Sequence, residues 1–422
     1  MAHIDLIFFF TQLAVILSCA VAFGHLARRW HQPAVLGELI GGIVLGPTVL
    51  GRILPGLYTW LFPPSVVLMT AQDALIKLGM LFFMFVAGLE VDLLQVRQQG
   101  RRATSISFWG IAVPLALGVG LVLWWPELWG AEVQDRLWLF ALFLGAALSI
   151  SALPVIARVL VDLRLLDTHI GTLVMVAATV NDLIGWTIFA VVLSYLTPLA
   201  ILESNPWLLI IQTLGFALLT LGLTRWIGGR VMAWLHDHLA WPGGFIGLAA
   251  VLVLIAAALA EVLGLHAFFG AFLVGVGLGQ GTERSYDAYQ TIHHFAINFL
   301  APIYFVSIGL KADFATNFDL LLVVVVLLVA CLGKIGGAWL GARLSGMPSR
   351  EAFVVGFALN ARGAIEIILA SIALENGLID QRLFVALVTM ALATSLLSGP
   401  AIRLLHGHRV ESTESWRGGQ EN

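Results

Sequence analysis

An asparagine and an aspartate, Asn181 and Asp182, sit side by side in THIGTLVMVAATVNDLIGWTIFAVVLSYL, a run otherwise almost free of charge. An ionisable carboxyl inside a bilayer is costly, and it usually faces a cavity or a partner on an ion or proton pathway. A carboxylate in a wetted cavity near the midplane holds either a proton or a monovalent cation, and not both well. That competition is enough to couple two fluxes. Asn181 adds a neutral amide that can orient the carboxylate or lend an oxygen to a partly dehydrated ion. The competing reading makes Asp182 the structural partner of a basic residue.

Other polar residues are placed to support such a site. Lys334 lies in VACLGKIGGAWLG, too deep for easy snorkelling, so an internal partner is expected. Glycines 333, 336 and 337 let backbones pack closely around it. The run LSISALPVIARVL carries Ser149, Ser151 and Pro154. A proline inside a helix removes one hydrogen bond and clashes with the carbonyl four residues back, here Ile150. A break there would free carbonyls and hydroxyls near Asp182, which is how transporters build cation sites. An ordinary proline kink fits the sequence equally well. The run ALNARGAIEI groups Asn360, Arg362, Gly363 and Glu366. Arg362 and Glu366 are four apart, share a helix face and can pair. They either form a local salt bridge that makes the helix insertable, or neutralise helix ends exposed by a break at Ser149–Pro154. Glu38 is expected near the cytoplasmic face in an interfacial or packing role, and Glu261 in water at a helix end. His266, His293 and His294 read as interfacial, with no metal-ligand spacing. Cys19 and Cys331 read as packing residues rather than a disulfide.

The elements that must carry these residues follow from composition. Of 422 residues, 60% are hydrophobic and 11% charged. A soluble domain has roughly 25% charged residues, so this chain cannot cover a water-facing surface. It is an all-α polytopic membrane protein, with no basic patch for nucleic acid. A helix needs about 20 apolar residues to cross a bilayer. By that ruler there are thirteen transmembrane helices, centred near residues 16, 42, 82, 114, 148, 182, 216, 253, 272, 300, 330, 362 and 393. Only EVLGLH separates the segments at 253 and 272, and twelve would follow if they were one broken element. The first segment lacks a basic region before its apolar run, so it reads as a helix rather than a cleaved leader.

Loop charges give the orientation. On the opposite side from most Lys and Arg lie Arg52, Lys77, Arg136, Lys311 and Arg382, while Lys334 and Arg362 are intramembrane. The rest of the 22, from Arg28 to Arg417, share one side. The positive-inside rule then places the N-terminus outside and the C-terminus in the cytoplasm. The tail after about residue 406, at 407–422, is short and polar, and no soluble regulatory domain is expected on it. An internal repeat is also visible. GLEVDL (Gly88 to Leu93) and GLKADF (Gly309 to Phe314) both read Gly-Leu-x-x-Asp, and LGELIGGIVLG matches LHAFFGAFLVG with Gly41 on Gly270 and Gly46 on Gly275. Segments seven apart run in opposite directions here, so the matches imply inverted repeats.

Several of these stretches resemble one superfamily. QPAVLGELIGGIVLGPTVLG (32–51), LGMLFFMFVAGLEVDL (78–93), HAFFGAFLVG (266–275), PIYFVSIGLKADF (302–314) and NARGAIEI (360–367) are similar to signatures of monovalent cation/proton antiporters of the second branch, which includes potassium-efflux systems. The resemblance spans about 10–405. It implies the sodium/proton antiporter fold with two crossed broken helices at Pro154 and Gly363, and a homodimer with elevator-like movement. Residues 1–406 would form the membrane domain, with dimer-type helices at about 1–50 and 205–280 and core-type helices at about 73–200 and 290–406. Asp182 would be the ion-binding aspartate, with Asn181 where electrogenic members carry a second aspartate and Lys334 as that aspartate's partner. With Asn181 neutral, Lys334 is expected to have lost that partner. Asn-Asp members are associated with electroneutral exchange. The other antiporter branch, which also carries Asn-Asp, has a glutamate four residues before the asparagine; Ala177 stands there in this chain, leaving Glu366 as the nearest acid for Arg362.

These expectations combine into one reading. Na⁺ or K⁺ would exchange for H⁺ at Asp182, with Asn181, Ser149 and Ser151 lining the site and Lys334, Arg362 and Glu366 supporting it. No cofactor or catalytic residue is expected, and the setting would be a bacterial inner membrane. A channel-like pathway would also use broken helices, but the chain shows no carbonyl-rich filter repeat. A non-transporting sensor is the third reading, weakened by the lack of an appended soluble domain.

Overall fold

Inside a bilayer every backbone N–H and C=O needs an internal partner, so apolar stretches of this length fold as helices. A computed structural model of the chain describes residues 3–406 except 31, 92–99, 131–132, 134, 167, 195–205, 239–242 and 280–285. The principal helices are α1 (His3–Arg29), α2 (Ala34–Leu45), α3 (Val66–Leu89), α4 (Gly100–Trp124), α5 (Leu137–Ala147), α6 (Leu153–Asp162), α7 (His169–Ser194) and α8 (Pro206–His238). They continue with α9 (Gly243–Val262), α10 (Ala267–Leu278), α11 (Ala301–Lys311), α12 (Leu320–Leu344), α13 (Ser349–Leu359), α14 (Ala364–Glu375) and α15 (Gln381–His406). No strand occurs among the described residues. Nine helical stretches there are long and apolar enough to cross a membrane, and three further apolar helices are shorter.

The predicted segment centres fall on helices, with two instructive exceptions. Residues 148 and 362 lie in gaps, between α5 and α6 and between α13 and α14. The segments at 253 and 272 are separate helices, α9 and α10. Gly264, at φ 72°, ends the first of them in the left-handed conformation that glycine adopts without strain. The tail from 407, Asp92 and Leu93 of the first repeat motif, and Arg97, Arg284, Arg409 and Arg417 lie outside the described residues.

The chain divides into two compact units. The first comprises Met1–Leu94, Trp186–Phe318 and Ser371–Gln381. Its helices close on glycines. A Cβ on Gly88 of α3 would meet Phe272 O of α10 at 2.2 Å, and one on Gly275 of α10 would meet Phe85 O of α3 at 2.1 Å. The second pair repeats the arrangement: Gly309 of α11 lies against Leu39 O of α2, and Gly42 of α2 against Val306 O of α11. The repeat motifs therefore do the same job twice, each Gly-Leu segment packing on the glycine helix of the other repeat.

The second unit comprises Gln95–Gly185, Asp319–Ala370 and Arg382–Asn422. Glycines 333, 337 and 341 recur every four residues along α12, forming one stripe. Added Cβ atoms there would meet Pro114 Cα, Trp109 O and Ser105 O of α4 at 2.9, 2.3 and 2.5 Å. Small residues at this spacing let membrane helices approach backbone to backbone. At its start α12 is capped by Asp319, which accepts from Leu322 N at 3.1 Å and pairs with Arg382 at the head of α15. The backbone donor first, then Arg382, hold this carboxyl below the usual carboxylate range. A lowered value means stability that is complete above the ordinary range and is lost as pH falls through the lowered one. Asp319→Asn should therefore lower the melting temperature at neutral pH, and the difference from wild type should vanish as pH falls through that lowered value. A difference that persists in acid would assign the effect to packing instead.

Candidate ion-binding site

The site is built in the second unit, where two helices are interrupted. α5 ends at Ala147 and α6 begins at Leu153. Pro154 lies in the first turn of α6, where its missing N–H costs nothing. It therefore starts the second half-helix rather than kinking a continuous one. α13 ends at Leu359 and α14 begins at Ala364, leaving Asn360 to Gly363 non-helical. The two gaps are joined directly. Ala152 N donates to Ala361 O at 3.1 Å, and Ser151 Oγ donates to Leu359 O at 2.9 Å. A Cβ on Gly363 would stand 2.8 Å from Val155 Cγ2, so a larger residue there would press on the start of α6.

A helix that ends inside the protein leaves its last carbonyls unbonded and the negative end of its dipole bare. α5 ends this way, and two cations meet it. Arg362 Nη1 donates to Ala147 O at 3.0 Å, and Nη2 to Leu148 O at 2.6 Å. Nη1 also pairs with Glu366 Oε1 at 2.8 Å. Lys334 Nζ donates to Ser149 O, and to Gly110 O at 3.1 Å. Gly110 is four residues before Pro114, an interior proline of α4, so its carbonyl has no helical donor and is left for the lysine. In the orientation that satisfies both ends of its amide, Asn181 donates to Ser107 O and Ala177 O at 3.2 Å each, and its Oδ1 accepts from Lys334 Nζ at 2.9 Å. Lys334 thus lacks a carboxylate at position 181 but not an acceptor. Asn181 serves it as an oxygen acceptor.

Asp182 occupies the next position of α7 and is 1% exposed. Lys334 is close enough to act on it electrostatically. One turn on, a Cβ at Gly185 would stand 2.3 Å from Ile150 Cγ1, so α7 runs directly against the first gap. Ser149 Oγ is spent on Gly145 O at 2.6 Å and Ile111 O at 3.2 Å. Lys334, Arg362 and Glu366 are all buried as well. Two acids and two bases thus share this interior, and their formal charges balance. Buried charges need partners: Arg362 is paired with Glu366 and hydrogen-bonded, and Lys334 is hydrogen-bonded to three oxygens.

Among the remaining expectations, Glu261 is half exposed and accepts from Ala267 N, with His266 Nδ1 3.8 Å away. His293 lies 3.5 Å from Glu90. Cys19 and Cys331 are free thiols. Two residues of the site had escaped notice. Ser395 of α15 donates to Arg362 O in the second gap, and Ser107 of α4 supplies the carbonyl that holds Asn181. Neither has a spacing that marks it. Pro114 was the available signal for the Gly110 carbonyl.

A membrane-embedded helical protein with two interrupted helices joined at their gaps, and a carboxylate beside the junction, has the architecture of a secondary ion transporter. The chain belongs to the family described as sodium/hydrogen exchanger, transmembrane, which it matches over residues 13–406. It is 33% identical over 408 residues to cation/H(+) antiporter 18 of Arabidopsis thaliana, covering 94% of this chain and 48% of that one. It is 32% identical over 400 residues to the Na(+)/H(+) antiporter NhaS4 of Synechocystis, covering 94% of this chain and 97% of that one. The chain spans about half the length of the first curated relatives it matches. Its fold is that of the sodium proton antiporter MjNhaP1 from Methanocaldococcus jannaschii, with a TM-score of 0.70, 18% identity and coverage of 95% and 100%.

Proposed function

We propose that this chain is a secondary active antiporter that exchanges a monovalent cation, Na⁺ or K⁺, for H⁺ by competition at Asp182. Relatives bear the names of Na(+)/H(+) and K(+)/H(+) antiporters, and the family match covers nearly the whole chain. The observation that carries the reading is a buried carboxylate beside the joined gaps of two helices, in an interior it shares with Lys334, Arg362 and Glu366. Asn181, Ser149 and Ser151 frame the site, while Lys334, Arg362 and Glu366 fix the electrostatics around it. Because Asp182 is buried, its access to either side requires movement, and an elevator-type displacement supplies it. The working unit is a homodimer in a bacterial inner membrane, with the N-terminus outside and the C-terminus cytoplasmic. Residues 1–50 and 205–280 form its dimer-type helices, and residues 73–200 and 290–406 its core.

The exchange is electroneutral in this scheme. One carboxylate that alternates between one proton and one cation moves no net charge. The scheme requires that Lys334, held by three oxygens, takes no part in the proton exchange. The test is exchange in proteoliposomes with and without an imposed potential. Carrying one net charge through 100 mV changes the driving force by about 2.3 kcal/mol, so a voltage-sensitive rate is easily read. The expected rate is indifferent to voltage. A rate that follows the potential would mean that Lys334 releases a proton during the cycle.

A further inference from the structure

A third buried carboxyl lies in the first unit. Glu38, on α2, is 6% exposed, and its Oε2 accepts no hydrogen bond. The glycines of the α1–α2 contact explain how it is buried. A Cβ on Gly37 would stand 2.1 Å from Phe23 O, and one on Gly41 would stand 2.8 Å from Cys19 Sγ, so α2 lies directly on α1. Between these contacts Glu38 enters the notch left by Gly24 of α1, with Oε1 3.5 Å and Cγ 3.6 Å from where a Cβ would be. An ionised carboxylate with a bare buried oxygen pays a large desolvation penalty, whereas a neutral acid pays far less. The titratable groups on the elements packed against α2 are few. α1 carries His3, Asp5, Cys19, His25, Arg28 and Arg29, α11 carries Tyr304 and Lys311, and the short helix Leu50–Ile53 carries Arg52. Lys311 is tied to Glu375 at 2.7 Å. Arg28, one turn beyond Gly24 and exposed, is the charge that acts on Glu38.

We propose that Glu38 is a second proton-binding group of this chain, separate from Asp182, and that its proton keeps α1 clasped on α2. With the proton bound, the neutral acid fits the Gly24 notch. Once the proton leaves, the carboxylate is drawn toward Arg28 and water, and the clasp loosens. The inference does not depend on which ion Asp182 carries.

The test uses the full chain in lipid nanodiscs and the proton as ligand. Infrared titration of the carboxylic-acid carbonyl stretch should show one band that is lost in Glu38→Gln and kept in Asp182→Asn. Arg28→Gln removes the cation that favours the ionised form, so it should move that band's titration to higher pH. Amide hydrogen exchange in α1, corrected for its intrinsic pH dependence, should rise across the same titration in wild type. It should stay flat in Glu38→Gln, where the amide imitates the protonated acid. Identical infrared bands in wild type and Glu38→Gln, or an equal rise in α1 exchange in both, would overturn the proposal.

Discussion

Replacing Asp182 by asparagine should bring cation-driven proton movement in proteoliposomes down to the level of empty vesicles, while the protein still folds and assembles. The substitution is nearly isosteric, so packing against the first gap is kept. It removes the carboxylate at which proton and cation compete in the proposed exchange. Lys334 and Arg362 keep their carbonyl acceptors, and Arg362 keeps Glu366. A pH-sensitive dye inside the vesicles, with Na⁺ or K⁺ added outside, reads the result and identifies the ion in wild type. Exchange that survives in Asp182→Asn would move the site elsewhere, and Glu366, whose Oε2 accepts no hydrogen bond, would be examined next.

Lys334→Ala should act on the other quantity. It strips donors from Ser149 O, Gly110 O and Asn181 Oδ1 together, all in the interior. Each buried acceptor left without a donor costs about 1–3 kcal/mol, and removing one member of a buried charged network costs about 3–5 kcal/mol. We therefore expect a loss of about 3–5 kcal/mol in stability, seen as a lower melting temperature in detergent. Turnover of the molecules that remain folded should fall by no more than about tenfold, or about 1.4 kcal/mol of barrier. An unchanged melting temperature with abolished exchange would make the lysine a carrier of the transported proton rather than a brace.

How far the sequence foretold this arrangement depends on whether side chains or backbone do the work. Pro154 and the Asn360–Gly363 stretch marked both interruptions, because proline and glycine act on the chain locally. The two Gly-Leu-x-x-Asp motifs announced a repeat, because a glycine at a helix crossing is a local requirement. What they touch could not be read: Gly88 meets α10 and Gly309 meets α2, contacts that exist only once the chain is folded. Lys334 is the clearest case of the limit. Reading side chains alone, a neutral Asn181 left it stranded, whereas its acceptors are an amide oxygen and two main-chain carbonyls, and carbonyls carry no residue letter. Ser395 and Ser107 escaped for the same reason, since each meets or offers a backbone oxygen. Glu38 read as an interfacial or packing residue from its distance to the loop, and its burial depends on the missing side chain of Gly24 on a neighbouring helix.

The bond from Ala152 N to Ala361 O has a consequence for how this protein can vary. It joins the interruptions through peptide groups alone, so it asks for no particular side chain, but both alanines are buried and only small residues fit there, and proline at Ala152 would have no N–H to give. The polar side chains around the junction can then change without unfastening it, and in the exchange proposed above the two interrupted segments would be displaced together.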